Sequence, residues 1–176
     1  MFANAGFGAE RGFLEESVEH WRAMVLTNVL GVALTIRATL PHLLERGTGH
    51  YLITSSVAGR RVLPGSLYSA TKWAVTAIGE ALRAELRQIH DNSGIRVTLI
   101  EPGMTDTEFF DRRPTGALED DDLARAAVFA LSQPKRVDST RSSSGRRPSP
   151  ASRPGVNDLP ASARSPWRTP SPPPDG

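Results

Sequence analysis

The chain has 176 residues, 39% hydrophobic and 23% charged, with a formal net charge of +2, which sets an expectation of one domain able to bury a real core. It has no cysteine, which excludes disulfides, thiolate metal centres, iron–sulfur clusters and a thiol nucleophile; the scattered His20, His42, His50 and His90 show no metal-ligand spacing, so no metal is expected. No apolar run is read as reaching the roughly 18–20 residues of a membrane span and no leader pattern opens the chain, so the expectation is a cytoplasmic protein with no membrane partner.

The small net charge hides an asymmetry. Residues 1–134 carry 13 Lys+Arg and 16 Asp+Glu, whereas residues 135–176 carry 8 and 3. The second region holds nine prolines and nine serines in 42 residues. It has too little apolar surface to offset the entropy of ordering, so the composition predicts a disordered tail over 135–176. Its basic residues are accompanied by one aromatic, Trp167, and by no recognition module, so no nucleic-acid partner is expected.

In chain order, residues 1–6 form a short apolar stub ending in Asn-Ala-Gly. Residues 17–46 follow as a long helical pattern, with Val18, Trp21, Val25, Val29, Val32, Ile36 and Leu40 at three- and four-residue steps. Ser17 suits its N-cap, Pro41 predicts a kink or boundary near its end, and Gly47 stops it. Residues 50–56 (HYLITSS) read as a short buried strand and 57–67 as a loop. Residues 68–90 form a second helix, apolar at Ala74, Val75, Ile78, Leu82 and Leu86, with Arg83, Glu85 and Arg87 on its polar side. Residues 95–100 (IRVTLI) are another buried strand. Residues 118–131 form a third helix, with acidic residues 119–122 at its positive end. Near-continuous apolar strands joined by long helical crossovers predict parallel pairing and an α/β, doubly wound sheet.

The sharpest chemical feature is Tyr68-Ser69-Ala70-Thr71-Lys72. Positions i and i+4 share one helical face, and an ammonium beside a phenol favours the phenolate and lowers its pKa from near 10. Such a tyrosine exchanges protons with an alcohol or carbonyl. By itself the spacing is common on helices with a solvated lysine. Four other signals flank it in order: Asn4-Ala5-Gly6, Asn28 in TNVLG, Ser56 in TSSVAG, and Pro102-Gly103 with Thr107 in EPGMTDTEF. Each lies at a strand's C-terminal end or on a neighbouring helix, where open α/β sheets bind ligands. Asn is also a poor mid-helix residue, so Asn28 calls for a reason.

This ordered set resembles the second half of a short-chain dehydrogenase/reductase, over residues 4–134. The resemblance implies part of a Rossmann-like fold and an NAD- or NADP-dependent oxidoreductase that moves hydride between nicotinamide and an alcohol or ketone. It implies that Tyr68 transfers the proton, that Lys72 holds the nicotinamide ribose and depresses the tyrosine pKa, and that Ser56 binds the substrate oxygen. Asn28 would support a water-linked proton path, Asn4, Ala5 and Gly6 would pass the adenosine side, and Pro102, Gly103 and Thr107 would lie near the nicotinamide. The serine stays open: the SSxAG context favours Ser56, whereas Ser55 has the more usual distance to the tyrosine. Val57, Leu63, Pro64, Met104 and Phe109 point to an apolar alcohol or ketone, lipid- or steroid-like. The long helices imply a homodimer or homotetramer.

The chain departs from that pattern in two places. It begins at the Asn-Ala-Gly motif, so the glycine-rich turn that cradles the pyrophosphate, and the residue that selects NAD or NADP, do not occur in it. The composition switches abruptly near 134–138. The expectations are therefore an N-terminally truncated member with an aberrant tail and impaired cofactor binding, and, as an alternative, a non-catalytic homologue that pairs through its helices. A truncated sheet would also strip cover from Phe2, Phe7, Val29, Ile53 and Leu99 and leave the first strand as an open edge.

Overall fold

The computed structural model describes residues 1–8, 12–63, 67–90, 94–105, 117–134, 137 and 141–144. Its centre is a sheet in the order β1 (Phe2–Ala3), β2 (Gly49–Thr54), β3 (Ile95–Pro102) and β4 (Arg141–Ser144), every neighbouring pair parallel. The register sets Ile53 beside Ala3 on one side and beside Leu99 on the other.

A long helical rod, α1 (Val18–Val25), a π-helical turn (Leu26–Leu30) and α2 (Gly31–Arg46), connects β1 to β2. Ser17 caps it by accepting from the His20 amide at 3.1 Å. Gly47 ends it at φ 62°, a left-handed conformation that favours glycine. Pro41 lies inside α2 without ending it. Helix α3 (Leu67–Gln88) links β2 to β3, and α4 (Asp120–Ser132) follows β3. Glu119 and Asp122 close a reciprocal capping box at the start of α4.

Both sheet faces are covered, as parallel strands require. On one face Tyr51, Ile53, Val97 and Leu99 pack with Val32 and Ile36 of α2 and Val75, Leu82 and Leu86 of α3. On the other, Leu52 and Ile100 meet Leu123, Ala127 and Ala130 of α4. The fold is the α/β, partial Rossmann-like sheet that the alternation of elements predicts.

Four expectations need correction. Ile53 and Leu99 lose no cover; both are fully buried, because α2 and α3 close over that face, while Phe2 at the β1 edge is exposed. Strand β4 lies inside the stretch whose composition predicts disorder. Parallel pairing is made by backbone groups, so a serine-rich segment can extend the ladder without apolar side chains. Arg83 is buried rather than on a polar face, with Nη2 donating to the Val97 carbonyl at 2.6 Å. Finally, the helix Val18–Arg46 runs for 29 residues with a stretch of mean hydropathy 1.6, long and apolar enough by length and composition to cross a membrane. Met24, Asn28, Val32 and Ile36 on it are nonetheless buried, with Val32 and Ile36 in the core against α3 and the sheet.

Candidate active site

The C-terminal ends of β2 and β3, the first turns of α3 and the π-turn converge on one place. Tyr68 and Lys72 share the inner face of α3, with Lys72 Nζ 5.7 Å from the centre of the Tyr68 ring. Lys72 is 4% exposed. Its Nζ donates to the Thr54 carbonyl at the end of β2, at 3.1 Å. An ammonium has three N–H donors, so most of its capacity is left for something bound there.

Burial displaces both groups. It pushes the Tyr68 phenol above its ordinary value near 10, opposed by a hydrogen bond with the Ser56 hydroxyl. It pulls the Lys72 ammonium down from 10.5 to about 8. The net direction for the Tyr68 phenol is upward, because burial outweighs the Ser56 hydrogen bond. A poorly hydrated site disfavours the charged form of either group, phenolate or ammonium.

The two serines have different surroundings. Ser55 turns into α3, donating to the Lys72 carbonyl at 3.0 Å and sharing a hydrogen bond with Thr76 Oγ1 at 2.7 Å. Ser56 begins a 3₁₀ turn, Val57–Gly59, accepting from the Ala58 amide at 3.1 Å. Its hydroxyl also reaches the Pro102 carbonyl at 3.5 Å and the Tyr68 phenol. Gly59 allows this turn to lie against α3: a Cβ there would stand 2.7 Å from the Lys72 carbonyl, Ser55 Oγ and Thr76 Oγ1.

Asn28 sits in the π-turn, where the amide of Gly31 bonds back five residues to the Leu26 carbonyl. Such bulges turn a side chain out of helical phase and often lie at functional sites. The Asn28 carboxamide clamps the backbone of Phe7 in both directions, accepting from its amide at 3.0 Å and donating to its carbonyl at 2.9 Å. It also donates to Thr71 Oγ1 at 3.2 Å, and Thr71 in turn donates to the Tyr68 carbonyl at 2.7 Å. Asn4 accepts from the Thr54 hydroxyl at 2.8 Å. Ala5 is exposed. Gly6 packs so closely that a Cβ would lie 3.0 Å from Asn28 Oδ1 and 3.5 Å from Lys72 Nζ.

Asn4, Gly6, Asn28, Ser56, Tyr68, Lys72 and Pro102 thus meet around one place. Gly103 follows β3, and Thr107, Pro64 and Phe109 lie outside the described residues. Residue spacing alone missed Thr71, Thr54 and the pair Arg60–Glu101. Thr71 has a faint signal, being inside the Tyr-x-x-x-Lys stretch; the others have none. A groove of about 440 Å³ lined by Ile36, Arg37, Leu40, Leu44, Glu85 and His90 lies apart from the site residues. Among the described residues no three His, Asp or Glu side chains are grouped to hold a metal.

The family model for short chain dehydrogenases matches residues 1–117, and the chain belongs to that family. An uncharacterised oxidoreductase of Staphylococcus saprophyticus is 40% identical over 138 residues, 76% of this chain and 57% of that protein. One from Staphylococcus aureus is 39% identical over 124 residues, 68% of this chain and 52% of that protein. The chain therefore spans about half the length of these curated relatives. Among solved structures, an alcohol dehydrogenase from the archaeon Thermococcus sibiricus, complexed with 5-hydroxy-NADP, superposes with a TM-score of 0.73 at 31% identity, covering 84% of this chain and 64% of that one. Serine dehydrogenase from Escherichia coli gives 0.70 at 30% identity, covering 81% and 61%.

Proposed function

We propose that this chain carries the proton-transfer half of an NAD(P)-dependent oxidoreductase that interconverts an alcohol and a ketone. The observation that carries the reading is the meeting of Tyr68, Ser56 and Lys72: a phenol held by a hydroxyl, with a buried ammonium 5.7 Å from its ring. Tyr68 gives its proton to the carbonyl oxygen, or takes it from the alcohol, at the phenol oxygen. Ser56 holds the same substrate oxygen. Lys72 holds the ribose hydroxyls through the donors that Thr54 leaves unused.

Asn28 holds the Phe7 backbone and, through Thr71, the first turn of α3; with a bound water it extends a proton path towards Lys72. Asn4, Ala5 and Gly6 lie along the adenosine side of the cofactor, and Pro102, Gly103 and Thr107 by its nicotinamide. The nicotinamide cofactor, NAD or NADP, supplies the hydride when bound. The fit of these residues to it rests on the spare Lys72 donors and on Gly6, where a side chain would press on Asn28 and Lys72.

The substrate is read as an apolar alcohol or ketone because Val57, Leu63 and Met104 border the site in sequence, and Met104 is half exposed. The exposed apolar row Val18, Val25, Leu26, Leu30 and Leu34 supports a homodimer or homotetramer, and a cytoplasmic location goes with this reading. Titration with NADH and NADPH, followed by nicotinamide fluorescence, tests the proposal. Saturable binding lost in Lys72→Ala and kept in Tyr68→Phe, with turnover of secondary alcohols lost in both, is the expected result. A folded chain that binds neither cofactor would leave the non-catalytic, helix-paired homologue as the reading.

A further inference from the structure

We propose that Arg60 and Glu101 are a positioning pair that sets the Ser56–Tyr68 hydrogen bond, an inference that rests on the oxidoreductase reading. Glu101 is fully buried. Its Oε2 accepts from Arg60 Nε at 2.8 Å, while its Oε1 is buried with no hydrogen-bond partner among the described residues. The Arg60 side chain is 41% exposed.

A half-satisfied buried carboxylate is a poor stabilising device. Desolvation of the ion offsets much of its attraction, and well-packed apolar residues generally do as well or better. What the pair does geometrically is specific. Ser56 opens the turn Val57–Gly59 and Arg60 closes it, the Arg60 amide bonding the Val57 carbonyl at 3.0 Å. Glu101 takes the closing residue and its neighbour Pro102 takes the opening one, through Ser56 Oγ at 3.5 Å. Two consecutive residues at the end of β3 therefore hold both ends of the turn that presents the Ser56 hydroxyl to Tyr68. Without the ion pair, the closing end loses its tie to β3 and the hydroxyl its aim.

The test uses the full chain carrying Tyr51→Phe. The sequence has two tyrosines, so Tyr68 is then the only one, and tyrosinate absorbance against pH reports on it without cofactor or turnover. Glu101→Leu should raise the Tyr68 midpoint, since the Ser56 bond that holds it down is loosened, and should cause no rise in a Ser56→Ala background. Loss of a nearby negative charge alone would lower the midpoint. A fall, or a rise that persists in Ser56→Ala, overturns the proposal. If circular dichroism shows Glu101→Leu unfolded, Arg60→Met serves instead: loss of its positive charge raises the midpoint by itself, so the rise should be larger with Ser56 present than in Ser56→Ala, and an equal rise in the two backgrounds overturns the proposal. Glu101→Gln, which keeps an acceptor for Arg60, should not raise the midpoint. In turnover the pair variants should lose on the order of tenfold in kcat with KM little changed. A chain that fails to bind NADH or NADPH defeats the oxidoreductase reading and leaves this titration able to decide the pair.

Discussion

Lys72 Nζ and the Tyr68 ring centre are 5.7 Å apart, and burial moves their pKa values in opposite directions, the phenol's up and the ammonium's down to about 8. One cause acts on both, because a poorly hydrated site disfavours charge whichever group carries it.

Tyr68 is neutral at physiological pH, the form that donates to a carbonyl oxygen. Carbonyl reduction should therefore hold its proton donor through neutral pH, whereas alcohol oxidation, which needs the phenolate, should speed up with rising pH. Profiles of kcat/KM in both directions check this. Tyr68→Phe should reduce either direction by roughly 100-fold or more. Oxidation that is independent of pH in the parent chain would count against Tyr68 as the proton carrier.

Lys72 should make stability depend on pH in a definite window. Its pKa is about 8 folded against 10.5 unfolded, so between these values the unfolded chain binds more protons and stability rises with pH. The contribution is complete above the unfolded value and is lost as pH falls through about 8. The difference of about 2.5 corresponds to roughly 3 kcal/mol. Urea midpoints at pH 7 and pH 10 should rise in the parent and change much less in Lys72→Met, which should also be the more stable chain at pH 7. Parallel pH responses in the two chains would refute this.

Asn28→Leu should lower stability by about 2 kcal/mol, because the Phe7 amide and carbonyl lose their partner in a partly buried place. The amide of Phe7 should also exchange with solvent faster than in the parent. A thermal melt and hydrogen exchange measure the two effects; unchanged Phe7 exchange would show that the clamp contributes nothing.

Gly59→Ala should cost about 1–3 kcal/mol, an overpacking penalty, since the new Cβ would meet the Lys72 carbonyl, a backbone atom, at 2.7 Å. The turn and α3 must part, so the loss should appear both in the denaturation midpoint and in a weaker Ser56–Tyr68 bond. Full stability in Gly59→Ala would mean that α3 shifts freely.

Much of the fold was legible because its signals are local. Helical spacing over 17–46 and over 68–90, and β-branched runs at 50–56 and 95–100, name elements whose periods are set within a few residues. The Tyr68–Lys72 face follows from the same arithmetic. The π-turn that aims Asn28 had no such trace, since it is a change of helical phase imposed by packing. Strand β4 was missed because backbone pairing leaves little mark on composition.

By itself the sequence determined the chemistry available: a phenol and an ammonium one helical turn apart, an amide in a helix, a serine pair at a strand's end, and the family to which their order belongs. Only the tertiary structure decided which serine meets Tyr68, with Ser55 spent on α3 and Ser56 facing the phenol. It also tied Arg60 to Glu101 across 41 positions and set the sign of the Tyr68 shift. These are effects of desolvation and of contacts between distant segments. They exist only once α3, the π-turn and the ends of β2 and β3 have closed on one another and excluded water.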